Sequence, residues 1–206
     1  AEDVVRIPFN DPDAFEAAIR RDGDALACVI IEPVAANMGV VLPEAGYLDL
    51  IRRRTRERGI LLIFDEVVTG FRLGYGGAQE RFNIRPDLTT FGKIIGGGLP
   101  VGAQGGPRRL MQRLAPEGNV YHGGTFAGPP LSMIAGIATL RALKAQPPYA
   151  RLERMSRRLT EGLLREAQTA GVAVQINQIG SMATVFFSKE SVRSYTDAAA
   201  TRRDQF

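Results

Sequence analysis

Three apolar runs, separated by one helical and one glycine-rich stretch, set the first expectation. Ala25 to Val34 is nearly continuous in apolar residues up to Glu32-Pro33. A strand buried on both faces of a parallel sheet reads this way, and Pro33 ends it. Between Glu44 and Arg58 the apolar positions Tyr47, Leu48, Ile51 and the methyl of Thr55 recur at helical spacing, with Arg56 and Arg58 in the last turn and Gly59 as the stop. That pattern predicts an amphipathic crossover helix. Ile60 to Phe64 is a second buried strand that delivers Asp65 and Glu66 to its carboxyl end. Strand, helix, strand in this order is a βαβ unit, so the fold class is α/β with a mostly parallel sheet and flanking helices.

Gly70 to Pro86 is rich in glycine and polar residues and predicts a loop with room for one helical turn. Leu88 to Phe91 is a short strand with Gly92-Lys93 at its end, Val101 to Gly105 another strand, and Arg108 to Leu114 a short helix. Leu131 to Leu143 is a helix dense in small residues (Ala135, Gly136, Ala138), which suits close packing inside a domain. Pro147-Pro148 interrupts the chain and marks the candidate domain boundary, dividing 1–146 from 147–206. Beyond it Leu152, Met155, Leu159 and Leu163 stripe a helix ending near Gly171; Ala173 to Ile176 and Met182 to Phe187 predict strands, and Tyr195 onward another helix.

Composition narrows the class. Of the 206 residues 45% are hydrophobic and 23% charged, enough to bury one sizeable core or two small ones, which argues against disorder. Lys and Arg exceed Asp and Glu by 26 to 22 and are spread along helical stretches, so a nucleic-acid partner is not expected. No apolar run approaches the roughly 20 residues that cross a bilayer, so no membrane association is expected. The start, Ala-Glu-Asp-Val-Val, has no signal-peptide pattern and Cys28 is the single cysteine, from which a cytoplasmic setting is expected. The chain opens without methionine and closes on Arg-Arg-Asp-Gln-Phe, a polar helical stretch without a cap, as a segment of a longer protein would.

Polar side chains stand at or just after the ends of the apolar strands: Glu32 with Asn37, Asp65 with Glu66, and Lys93. In open α/β sheets that edge binds ligands, although a lone strand-end acid serves a structural role as readily as a catalytic one. The string Leu-Leu-Ile-Phe-Asp-Glu also suits the acid-bearing strand of a P-loop NTPase, but the phosphate loop fails its spacing. Asp87 stands five before Gly92, where glycine is needed, and Ile94 follows Lys93, where Ser or Thr is needed. A pyridoxal-phosphate (PLP) site accounts for the set better. PLP needs a lysine for a Schiff base and a carboxylate facing its ring nitrogen, roles open to Lys93 and Asp65. Phe91, Gly92, Ile94, Ile95 and Gly96 give Lys93 an apolar setting whose desolvation would favour the neutral amine, while a surface lysine at a turn is the plainer reading. No metal site is expected.

The strings EPVAANMGV, LLIFDEVVTGFR, PDLTTFGKIIGGGLPVGAQGG and YHGGTFAGPP, in this order between Ile30 and Phe187, resemble the class III, fold-type I PLP-dependent aminotransferase family. The GFR after the strand-end acids, the GGAQ that follows and the PDLTTFGK strand are most similar to the glutamate-1-semialdehyde 2,1-aminomutases within it. The resemblance implies that 1–146 is part of the large PLP-binding domain and 147–206 the start of a smaller α/β domain. It implies Lys93 as the Schiff-base lysine, Asp65 as partner of the pyridine nitrogen, Val67 against one face of the ring, and Asn37 near the phenolic oxygen or substrate. Gly124 and Thr125 would bind the phosphate of PLP held by the other subunit of a homodimer, and the family's own phosphate loop would precede Ala1. Plainer roles exist for each: Val67 as core, Thr125 as a helix cap, Asn37 as a turn residue. The chain departs from the family at Ala36, usually Gly; at Gly128-Pro129-Pro130, usually Gly-Asn-Pro; and at His122, often Gln in the aminomutases.

The function implied is the conversion of glutamate-1-semialdehyde to 5-aminolevulinate in tetrapyrrole (porphyrin) synthesis, by PLP cycling through its pyridoxamine phosphate form on a small amino/oxo acid substrate. The rivals are an intermolecular ω- or β-amino-acid aminotransferase with the same site, and a non-catalytic or truncated paralogue serving as a dimerisation or binding module.

Overall fold

The structure is a computed structural model that describes residues 3–201. Its first element is a helix the hydrophobic pattern did not reveal, α1 (Pro12–Asp22). Asp11 caps it by accepting from the Ala14 amide at 2.8 Å, Pro12 occupies the first turn, and Phe15, Ala18 and Ile19 form the buried face. Strand β1 (Cys28–Ile31) follows, then α2 (Tyr47–Glu57) and β2 (Leu61–Asp65). Helix α2 stops where Gly59 predicts. Gly59 has φ 68°, its amide donates to Arg56 O at 3.3 Å, and the Ile60 amide donates to Thr55 O at 2.8 Å, which together make a Schellman closure.

The glycine-rich stretch contains α3 (Gly77–Phe82), ended by Asn83 in the left-handed region at φ 52°. After it come β3 (Leu88–Phe91), a 3-10 turn over Lys93–Gly96, β4 (Ala103–Gly105) and α4 (Arg108–Met111). Helices α5 (Pro130–Ala145) and α6 (Tyr149–Thr169), strands β5 (Gln175–Ile179) and β6 (Met182–Phe186), and α7 (Tyr195–Ala199) complete the order. The polar ending Arg202 to Phe206 lies outside the described residues.

Strands β1, β2 and β3 are parallel neighbours, Ile31 opposite Phe64 and Asp65 opposite Thr90, and β4 adds an antiparallel edge to β3. Strands β5 and β6 form a separate antiparallel hairpin. The chain separates into two compact units. One contains Cys28–Glu32 and Leu61–Pro148, and so holds the four-stranded sheet; the other contains the chain up to Ala27, Pro33–Ile60 and the chain from Tyr149. The change of unit after Pro148 falls at the double proline, but α1, α2 and the Pro33–Ile60 segment group with the hairpin instead of with the sheet.

Two helices differ from expectation in what they bury. The stripe Leu152, Met155, Leu159 and Leu163 does share a face of α6, but these residues are exposed, and Thr160 is the buried position, donating to Gln178 Oε1 at 2.6 Å. In α5 Gly136 is buried and Ala135 half-buried, but Ala138 is exposed, as are Leu131, Ile134 and Ile137. No helix among the described residues is long and apolar enough to cross a membrane.

In the unit holding the hairpin, α1 and α2 are joined by Arg54, whose guanidinium donates to Glu16 at 2.6 Å and to Glu57 at 2.9 Å. Tyr47 is buried beside them, its ring edge-on to Phe9 at 5.6 Å. Burial pushes the Tyr47 phenol up from 10.0 to about 12, Asp11 adds to the rise, and a hydrogen bond from the Asn10 backbone opposes it. The folded state therefore favours the neutral phenol. That contribution is complete below pH 10 and is lost as pH rises towards about 12. Between pH 9 and 11.5, wild type is expected to lose about 2 kcal/mol more than Tyr47→Phe in urea denaturation. Equal losses in the two proteins would show that the buried phenol does not control this pH range.

Candidate active site

Strand β2 runs from solvent-shielded apolar residues into two acids that go separate ways. Asp65 ends the strand half-buried, and its Oδ1 accepts from the Val67 amide at 3.0 Å, which fixes the carboxylate's orientation and leaves the second oxygen for another donor. The neighbouring Glu66 amide donates to Thr90 O at 3.0 Å, continuing the register with β3. The Glu66 side chain is 1% exposed and accepts from Thr69 Oγ1, the Ala78 and Gln79 amides and Gln79 Nε2. Glu66 thus belongs to the scaffold that fastens α3 to the end of β2, whereas Asp65 accepts only the Val67 amide among the described residues.

Lys93 is three residues beyond Thr90, the register partner of Asp65. Gly92 continues the strand direction in extended conformation, and Lys93 then turns into the left-handed region at φ 49°, opening the 3-10 turn. For a residue with a Cβ this costs about 1 kcal/mol, and it lifts the side chain out of the strand's alternation. The turn is held from beneath by α5. A Cβ at Gly136 would run into the Ile95 carbonyl, and one at Gly97 would lie 2.6 Å from both Ala135 O and Thr139 Oγ1. Small residues in α5 thereby let the helix backbone approach the lysine turn. Lys93 itself is exposed, so the desolvation expected from its apolar neighbours is not supplied by them: Ile94 and Ile95 are only half-buried beside it, and the glycines offer no side chains.

Val67 is half-buried beside the same turn, its Cγ1 3.2 Å from where a Cβ on Gly92 would stand. Behind it Phe71, with φ 57°, packs its ring at 5.9 Å from Phe91 and 5.3 Å from Tyr75. Val67 therefore stands beside the turn that Lys93 opens, and Asp65 ends the strand paired with the one that leads to Lys93. Gly124 and Thr125 lie in the same unit, in an exposed segment lining a cavity of about 320 Å³ with Thr90, Phe91, Gln104 and His122. The Gly102 amide donates to Phe126 O at 3.3 Å and ties that segment to the approach to β4. Pro129 precedes α5 without a side-chain cap, as the loss of an asparagine there implies, and Pro130 takes the first turn. Asn37 belongs to the other unit, exposed on a loop whose ends Ala35 and Val41 pair through both backbone hydrogen bonds, 3.1 and 2.9 Å.

This donor set fits PLP. An oriented carboxylate with an open oxygen suits a protonated ring nitrogen, an accessible lysine on a rigid turn suits covalent attachment, and a valine beside them suits a ring face.

The comparisons with known proteins agree with that chemistry. The sequence profile of the class-III aminotransferases matches residues 4–204. A glutamate-1-semialdehyde 2,1-aminomutase of Thermomicrobium roseum is 54% identical over 203 residues, covering 98% of this chain and 46% of the relative. Among solved structures, an omega-transaminase from Sphaerobacter thermophilus superposes with a TM-score of 0.87 at 39% identity, over 95% of this chain and 45% of that one. A lysine-to-alanine variant of a glutamate-1-semialdehyde-aminomutase from Pseudomonas aeruginosa PAO1, in complex with PMP, gives 0.82 at 28% identity, over 96% and 45%. The chain spans about half the length of the curated relatives it matches. Its mostly parallel sheet with flanking helices is part of the PLP fold-type I architecture, and by sequence and fold alike the chain belongs to the class-III aminotransferases.

Proposed function

We propose that the protein containing this chain is a PLP-dependent glutamate-1-semialdehyde 2,1-aminomutase, an isomerase yielding 5-aminolevulinate for tetrapyrrole synthesis. The observation that carries this reading is Lys93, raised on a left-handed turn at the end of the strand that pairs with the one ending in Asp65, in a chain 54% identical to such an enzyme. Bound PLP supplies the electron sink for the carbanion formed at the substrate carbon. Lys93 Nζ would hold the cofactor and, once free, would accept and return the proton leaving that carbon. Asp65 keeps a positive charge on the ring nitrogen, and Val67 limits the ring's movement on one face. Asn37 is assigned by its motif to the phenolic oxygen or the substrate.

Gly124 and Thr125 are assigned to the phosphate held by the partner subunit of a cytoplasmic homodimer, the Thr125 hydroxyl and the backbone amides donating to it. In this reading the sheet-bearing segment is part of the large domain, and residues from 147 begin the small one. The exposed 122–127 segment and the exposed Leu131, Ile134 and Ile137 support a subunit contact there.

The test is borohydride reduction of the full-length protein with PLP, followed by peptide mapping. A phosphopyridoxyl adduct is expected on Lys93, together with aminolevulinate formation from glutamate-1-semialdehyde. PLP trapped elsewhere, or not trapped, would turn the reading towards a non-catalytic binding module. The structural likeness to an omega-transaminase favours one rival, intermolecular amino transfer at the same site. An adduct on Lys93 with amino transfer to pyruvate and no aminolevulinate would establish that rival.

A further inference from the structure

The loop carrying Asn37 is tied to a part of the chain 137 to 144 residues away, and these ties are inside one compact unit. The Val40 amide donates to Thr184 Oγ1 on β6 at 3.0 Å. Asn177 Nδ2, on β5, donates to Val40 O at 2.9 Å and to Val192 O at 2.8 Å. One amide group thus clamps the Asn37 loop to the segment leading into α7. Gly39, at φ 89°, lies so close to the Phe186 ring that a Cβ there would stand 2.6 Å from its Cζ. Beneath these bonds Ala35 and Val41 share a buried cluster with Phe186, Val192 and Ala198, with Phe9 and Met38 against it. A second asparagine repeats the device at the loop's far end. Asn10, held at φ 62°, donates from Nδ2 to Leu42 O and Arg193 O, both at 2.8 Å, and accepts from the Glu44 amide at 2.8 Å.

The Ala35–Val41 backbone pair and the Asn37–Gly39 bridge close the loop on itself, so it moves as a unit with what it is fastened to. We propose that Asn177, with Thr184, is a positioning residue. The β5–β6 hairpin sets where Asn37 is presented, so any shift of the hairpin is passed to Asn37 as a rigid displacement. The consequence for catalysis rests on the proposed contact of Asn37 with cofactor or substrate.

The test compares full-length Asn177→Ala with Gln178→Ala, the next residue of the same strand. The Gln178 amide bonds Thr160 and Gly180 O instead of the loop, so its loss weakens the hairpin without loosening Asn37. Hydrogen exchange of a peptide spanning 35–42 is followed in both, with PLP absorption and the KM and kcat for glutamate-1-semialdehyde. Asn177→Ala is expected to exchange at least tenfold faster there, to shift the absorption of bound PLP and to raise KM more than it lowers kcat. Gln178→Ala should do none of these at a comparable loss in Tm, and Asn177→Gln should recover part of the protection. Unchanged exchange at 35–42 in Asn177→Ala would overturn the tether. Faster exchange with absorption and KM matching Gln178→Ala would overturn the positioning role. Failure of wild type to trap PLP on Lys93 would sink the proposed function instead, and the exchange result would still decide the tether.

Discussion

Lys93→Ala in the full-length protein is expected to lower kcat by at least about a thousandfold, because in the proposed function one amine provides both the covalent anchor and the proton carrier and no neighbour can replace it. The fold should survive. Lys93 is exposed, and it opens the turn at a left-handed φ of 49° that alanine strains about as much as lysine does. Its turn is held by Gly97 and by Ala135 and Gly136 of α5, none of which the substitution touches. Thermal unfolding should therefore change by no more than about 2 °C. Lys93→Arg separates charge from chemistry: it keeps a cation, but a guanidinium remains protonated and cannot form the attachment or accept the proton. It should be as inactive as the alanine variant. Substantial turnover in either protein, with aminolevulinate as the readout, would remove Lys93 from the mechanism.

The residues that were legible in the sequence share one property: their neighbours along the chain determine their place. Asp65 and Lys93 end apolar runs, and a strand that must be buried delivers whatever follows it to the sheet edge. Gly59 stops α2 because the closing bonds involve Arg56 and Thr55, a turn away. Helix α1 carried comparable local signals, Asp11-Pro12 and the spacing of Phe15, Ala18 and Ile19, but its charged residues hide a narrow apolar face. Elsewhere local pattern was insufficient. The apolar stripe of α6 predicts a buried face, yet the hairpin meets the helix at Thr160, because Gln178 offers it a hydrogen bond. The clamp at Asn177 was illegible, since an asparagine on a strand gives no sign of a carbonyl 137 residues earlier. Asp65 and Glu66 appeared as a pair because they are adjacent, although successive side chains near a strand point to opposite faces. That alternation was a readable reason to give them different tasks.

Glu66→Ala is expected to cost about 3–5 kcal/mol, among the largest single losses of stability available in this chain. The carboxylate is 1% exposed, and four donors converge on it: Ala78 N at 2.6 Å, Thr69 Oγ1 and Gln79 Nε2 at 3.0 Å, and Gln79 N at 3.2 Å. Two of these are first-turn amides of α3, so the carboxylate both satisfies the helix's open donors and complements its dipole. Gln79 Nε2 also reaches Thr89 Oγ1 on β3 at 3.1 Å, which extends the network from β2 through α3 to the strand that leads to Lys93. Alanine would leave the Ala78 amide and the Thr69 hydroxyl buried without this partner, weaken the hold on Gln79 and open a cavity. Glu66→Gln keeps the volume but places an amide donor among donors, and should cost about 1–3 kcal/mol. The geometry leaves no slack, because Gly77 is at φ 67° and a Cβ there would strike the Glu66 carboxylate. Urea midpoints of the full-length variants measure these losses, and activity of the surviving folded fraction measures the rest. With Asp65 and Lys93 intact, that fraction should retain a kcat within a fewfold of wild type. If Glu66→Gln instead kept full stability and lost turnover, the carboxylate would have to act beside Asp65 in the chemistry.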